Sequence, residues 1–346
     1  PLERLAMQVT LDARAADAAR PDAAHVDAGP SVVPVDLADL AGRWHVYGIE
    51  REANFTALLT IGADGWAGVT ALDGTEIGAL PLLGPDHPDP RMLRMTLAPL
   101  IPDPLVGALD PVTGFGVMVQ RPAVGAPPRL LVMVRADVVE LPRSALYVHA
   151  ITQPPGDGEF GTLVRFGDSY TEIAPLGVGR EARADRAFST VVQGERLRLD
   201  GPGGALRIYS ASRRAAVGEI WTQGSGRGVG LAWAPTARDV PFDAADLFCA
   251  GVHLGADGAP IIQGLAGTIG PGDRVDWADG RGADIERVGA LMHLHTPVGF
   301  FERPGGLALT DPGQRVLVLL PVRLNQPAES VDWGFGACVS LEPNVR

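Results

Sequence analysis

From Asp36 onward the chain is a succession of short apolar runs, such as RWHVYGI, NFTALLTI, GFGVMVQ, ALYVHAI, ALRIYSA and LFCAGVHL, broken by glycine, proline or aspartate. Runs of that length bounded by turn residues read as strands, and no long amphipathic pattern interrupts them. A parallel α/β sheet would need a helix between most strands, and the gaps here are too short or too rich in turn residues. The 44 glycines and 30 prolines fit many tight turns. Asp64-Gly65 and Asp73-Gly74 carry the dipeptide that suits a type I′ hairpin, in which both central residues take positive φ. The expectation is an all-β protein of antiparallel barrels or sandwiches.

At 346 residues the chain is about twice the usual domain size, so two domains are expected. The segment Thr152 to Gly158 holds two prolines and two glycines, and it is the best boundary. Residues 1–35 read as an amino-terminal arm, in which Leu5, Met7, Val9 and Leu11 alternate as one strand before a short helical or extended stretch. Residues 36–151 then form a first β-barrel or sandwich and residues 159–346 a second. The stretches 61–78 and 254–270 share a Gly-Ala-Asp-Gly turn, but no fixed period extends the echo, and chance explains it.

The charge balance, 29 basic against 41 acidic residues, gives −12, which repels phosphate backbones and argues against nucleic acid as a partner. No apolar run is long enough for a helical membrane span. The sequence contains no lysine, so Schiff-base and Walker-lysine chemistry are excluded. Cys249 and Cys338 sit in apolar strand-like runs, where buried free thiols are favoured over a bridge. The opening Pro1-Leu2-Glu3-Arg4-Leu5 has no secretion pattern, and a cytoplasmic location is expected. Unpaired terminal strands lead to the expectation of a homo-oligomer.

Three local motifs bear on chemistry. Gly42-Arg43-Trp44-His45-Val46-Tyr47, followed by Glu52-Ala53-Asn54-Phe55, resembles the opening of the lipocalin family, whose first-strand Trp closes the floor of an eight-stranded barrel. That resemblance implies a calycin-like first domain and a later basic residue stacked on Trp44, which the sequence alone does not place. Gly167-Asp168-Ser169 resembles the first block of the GDSL-type hydrolases, but the Asp-x-x-His pair and Gly-x-Asn-Asp block are missing, so a hairpin turn is the better reading. His293-x-His295 resembles the cupin ligand pair, with Glu302 following at a longer gap than in that family and His253 able to approach from another strand. On a strand, residues two apart share a face, so the two imidazoles could hold a divalent metal, the one cofactor the sequence suggests. Glu219, Asp276 and Glu286 are further carboxylates without a fixed location. Gly224 to Gly230 fails the phosphate-loop spacings and reads as a hairpin loop.

No complete catalytic set emerges. The first functional expectation is therefore a β-rich binding or assembly protein presenting loops or a barrel mouth to a small-molecule or carbohydrate ligand, with Trp44, Tyr47, Trp221 and Trp233 as ligand-binding aromatics. A metal-dependent enzyme built on His293, His295 and Glu302 is the second. A lipocalin-like isomerase, cyclase or hydratase acting on an apolar substrate is the third.

Overall fold

The structure, a computed structural model, describes residues 34–50, 54–83, 89–97, 101–120, 128–153, 155–177, 182–222, 226–234, 245–254, 260–270, 274–278, 282–288, 291–294, 306–310, 315–321 and 334–342. The expected arm strand and helix lie outside these residues. The described chain begins at Pro34 and enters a four-residue helix, α1 (Leu37–Leu40), whose first turn is capped by the Asp36 carboxylate accepting from Ala38 N at 2.9 Å.

The antiparallel all-β expectation is what the structure shows, and the sheets close into three barrels of eight strands, each a simple meander. The first comprises β1 (Gly42–Ile49), β2 (Asn54–Ile61), β3 (Trp66–Thr70), β4 (Glu76–Leu83), β5 (Leu93–Leu97), β6 (Ile101–Asp110), β7 (Phe115–Gln120) and β8 (Arg129–Arg135). The second comprises β9 (Ser144–Gln153), β10 (Pro155–Phe166), β11 (Ser169–Gly177), β12 (Arg186–Gln193), β13 (Arg196–Asp200), β14 (Leu206–Ala211), β15 (Ala215–Trp221) and β16 (Arg227–Trp233). The third comprises β17 (Ala245–Leu254), β18 (Pro260–Gly270), β19 (Arg274–Trp277), β20 (Gly282–Val288), β21 (Leu291–Leu294), β22 (Gly306–Thr310), β23 (Val316–Pro321) and β24 (Gly334–Ser340). In each barrel the last strand pairs with the first, which removes the exposed sheet edges an open meander would present.

The turn at 152–158 therefore lies inside a barrel, as the β9–β10 hairpin, and residues 159–346 carry most of one barrel and all of another. Pro155 opens β10 at the hairpin end, where proline is tolerated in a strand, and a register shift follows between Pro155 and Asp157. The echoed stretches are not equivalent either: residues 61–78 begin in the second strand of their barrel and residues 254–270 in the first.

The Asp-Gly hairpins form, but not as type I′ turns. Gly65 and Gly74 take φ of 83° and 88°, whereas the preceding aspartates stay at negative φ. Asp64 and Asp73 instead accept from the backbone N–H two residues on, at Trp66 and Thr75. This is the three-residue loop closed by a left-handed glycine, which the short aspartate side chain supports. Gly167 likewise takes φ 61° in the β10–β11 turn, so Ser169 belongs to a hairpin as the missing hydrolase blocks implied.

Two-residue alternation sorts the side chains into separate cores. In the first barrel Trp44, Leu59, Met118, Leu131 and Met133 fill the interior. Tyr47, Ile49, Val117 and Val132 point outward, yet they too are buried. They join Val217, Leu231 and Trp233 of the second barrel and Phe248, Val318 and Phe335 of the third in one apolar cluster. The barrels thus pack through their outer faces, and strands such as β7 are buried throughout their length.

Two sequence features find their partners in this packing. The indole of Trp44 donates to the Leu40 carbonyl at 2.9 Å, and the Arg135 guanidinium from β8 lies 5.1 Å over its ring while donating to the Asp39 carbonyl. Arg135 thus braces the buried indole from the strand that closes the barrel. Cys249 and Cys338, expected as free thiols, form a disulfide. They are 89 residues apart but directly opposed across β17 and β24, the pair of strands that closes the third barrel.

Candidate functional site

Two of the four expected ligand-binding aromatics meet. Outward alternation on β1 sends Tyr47 toward the second barrel, and outward alternation on β15 sends Trp221 toward the first. Between them lies a cleft of about 240 Å³ whose lining includes Tyr47, Ile49, Asn54, Phe55, Glu219 and Trp221, with Arg227 at its side. Trp221 and Arg227 are direct cross-strand partners in the β15–β16 hairpin, and the guanidinium sits 4.0 Å from the indole centroid. Such a pair holds the ring in place through the attraction of a cation for its π face.

The polar groups of the cleft are held in place by their neighbours. Asn54 donates from Nδ2 to Thr152 Oγ1 at 2.6 Å, which turns its carbonyl oxygen the other way. That Oδ1 is buried and accepts no hydrogen bond among the described residues. A buried acceptor left unmet costs about 1–3 kcal/mol, so a turn of the Asn54 side chain that let a ligand hydroxyl donate to it would recover that cost. Glu219 takes a 3.4 Å contact from Arg196, which leaves its other oxygen free of that partner. Burial pushes the Tyr47 hydroxyl well above its ordinary range, so it remains a neutral phenol.

The other expected residues lie elsewhere. Trp44 is wholly buried in the first barrel, and Trp233 belongs to the apolar cluster between barrels; neither faces the cleft. His293 is in β21, where its main chain pairs with Glu286 and Leu307, but its side chain, His295 and Glu302 lie outside the described residues. His253 is buried on β17, and Asp276 pairs with Arg274 at 2.9 Å on the surface.

Sequence reasoning did not find a second polar assembly, inside the second barrel. His149 on β9 faces Glu159 on β10, and Glu172 on β11 faces Arg186 on β12, each pair in direct register. His149 Nδ1 lies 3.1 Å from Glu159, and its Nε2 lies 2.7 Å from the Tyr209 hydroxyl. Arg207 on β14, almost fully buried, donates to Glu172 at 3.2 Å and to the Trp221 carbonyl at 2.7 Å. Arg186 bonds both carboxylates, and Arg183 reaches Glu159 at 3.2 Å. The cavity beside this network, about 20 Å³, has room for one water.

His149, Glu159 and Glu172 have the composition and proximity of a metal site, with their ligating atoms within 4.8 Å of one another. The arginines decide against that chemistry. Two carboxylates already face three guanidiniums, and a divalent cation would add charge to a buried site that is positive without it. Burial, followed by the field of Arg207, lowers the His149 pKa and keeps the imidazole neutral. Burial alone would raise Glu159, but its hydrogen bond to His149 and the charges of Arg186 and Arg207 hold it far below the usual carboxylate range. The assembly is a closed ion network that fixes the barrel interior.

No family model matches the sequence, and no curated protein matches it. Among solved structures, a mutant of the vaccine antigen Transferrin Binding Protein B from Haemophilus parasuis Hp5 aligns over 86% of this chain and 76% of its own at 8% identity, with a TM-score of 0.32. The intact Ap-TbpB structure, with N and C lobes, aligns over 87% and 78% at 8% identity and a TM-score of 0.31. Likeness at that level carries no argument about activity. What the chain's own geometry defines is an all-β protein of closed barrels with an aromatic cleft between the first two.

Proposed function

We propose that this protein binds a small hydroxylated ligand, of carbohydrate type, in the cleft between its first and second barrels. The observation that carries the reading is the meeting of Tyr47 and the Arg227-braced Trp221 in one cleft, whose lining also includes Asn54 and Glu219. A flat indole suits the apolar face of a sugar ring, and Asn54, Glu219 and Arg227 suit its hydroxyls. The cleft volume lies just below the usual range of small-molecule pockets, which supports a ligand of one ring. The disulfide between Cys249 and Cys338 supports an oxidising compartment in place of the cytoplasm first expected.

The test is titration with a panel of monosaccharides and their methyl glycosides, followed by calorimetry. Trp221→Ala removes the stacking surface and should weaken binding about tenfold or more, with the far-ultraviolet spectrum unchanged. Equal affinity in the variant and the native protein would refute the assignment of the cleft.

A further inference from the structure

The interface that carries the cleft also carries a line of buried polar groups. On the outward face of β1, Tyr47 and His45 stand two residues apart, and Ser210 of β14 lies between them from the other barrel. The Tyr47 hydroxyl is 2.8 Å from Ser210 Oγ, Ser210 Oγ is 2.5 Å from His45 Nδ1, and His45 Nε2 is 3.6 Å from the Glu195 carboxylate. Glu195 is on the surface, where it also pairs with Arg43, and Tyr47 lines the cleft. The chain of contacts therefore runs from solvent to the proposed ligand site.

We infer that His45, Ser210 and Tyr47 form a reversible hydrogen-bond relay that decides whether Tyr47 offers the cleft an acceptor or a donor, and so which ligand group is selected there. This rests on the reading of the cleft as a ligand site. A neutral imidazole has one donor nitrogen and one acceptor. The carboxylate of Glu195 favours the proton on Nε2, which leaves Nδ1 to accept from Ser210. Ser210 has a single proton to give, so its oxygen accepts from Tyr47, and Tyr47 turns lone pairs to the cleft.

Protonation of His45 reverses every step. Both ring nitrogens then donate, Ser210 accepts from Nδ1 and gives its proton to the Tyr47 oxygen, and the Tyr47 proton points to the cleft. Ser210, the central link, is fully buried, so bulk water cannot take its place and uncouple the two ends. The order serine, histidine, glutamate also occurs in charge relays of hydrolases, but Ser210 is fully buried and its hydroxyl is occupied by Tyr47, so no substrate carbonyl can reach it.

The groups facing the relay set where it switches. Burial lowers the His45 pKa, Glu195 raises it, and Arg196 and Arg43 lower it. Glu219, across the cleft, acts on the Tyr47 end. The neutral relay therefore prevails at neutral pH, where a ligand hydroxyl can donate to Tyr47. On the acid side an acceptor without a proton, such as a carboxylate, is favoured in its place.

Nuclear magnetic resonance on protein with labelled histidine and tyrosine tests the relay without any ligand. Neutral His45 should carry its proton on Nε2, and the Tyr47 ring carbon bearing oxygen should shift with the same midpoint as His45. In Ser210→Ala that shift should vanish while the His149 signals remain in place, which shows that the second barrel is intact. A neutral His45 protonated on Nδ1, or a Tyr47 that ignores the His45 titration, overturns the proposal.

Methyl glucoside and glucuronate, read by tryptophan fluorescence, then test selection. The preference for glucuronate should rise about tenfold from neutral to acid pH in the native protein and stay flat in Ser210→Ala. A relay that titrates as described with no response to either probe removes the cleft's ligand role and the selection, and leaves the relay itself standing.

Discussion

Replacing both Cys249 and Cys338 with alanine should loosen the third barrel without disturbing the second. The bridge spans 89 residues of sequence and joins the two strands whose pairing closes the barrel, so in the unfolded chain it removes the entropy of a long loop. The chain-entropy relation gives about 4.6 kcal/mol for a loop of that length at 25 °C. Because each factor of ten in an equilibrium corresponds to about 1.4 kcal/mol, opening of the third barrel should become roughly two-thousandfold more frequent. Hydrogen exchange of peptides covering β17 and β24 reads that opening directly, with peptides from β9 to β16 as the internal reference. Protection of β17 and β24 should fall by about three decades while the reference stays level. A fall of less than tenfold would show that the apolar faces of β17 and β24 hold the barrel closed by themselves and that the loop argument is wrong.

Two further outcomes follow from the ion network of the second barrel. Glu172→Gln leaves Arg207 buried without its carboxylate and should cost about 3–5 kcal/mol, whereas Glu172→Leu combined with Arg207→Met should cost less than the single change; thermal melts of both variants check this. Glu159 is held below its ordinary pKa in the folded state, so its contribution is present above the unfolded value near about 4.3 and is lost as pH falls toward the folded one. Stability measured by urea unfolding should therefore drop below that pH in the native protein and drop less steeply in Glu159→Gln.

Several features could be read before the structure because they are local. Alternation with a period of two announced the strands, and glycine after aspartate announced the hairpins. The type of the hairpins was not legible, since Asp64 and Asp73 use side-chain hydrogen bonds in place of positive φ. The cleft was half legible. Tyr47 and Trp221 stood out as aromatics, whereas Asn54 and Arg227 are ordinary residues until β2 and the β15–β16 hairpin bring them alongside.

The sequence by itself determined that this chain makes antiparallel strands, because the pattern of side chains on a strand depends only on near neighbours. The tertiary structure alone decided how many barrels those strands close into, because closure pairs β1 with β8, β9 with β16 and β17 with β24 across dozens of residues. The same closure made a disulfide of two cysteines that looked like isolated core thiols. It also turned His149, Glu159, Glu172, Arg186 and Arg207 inward, where each side chain is held by partners from other strands and none announces its place in the local sequence.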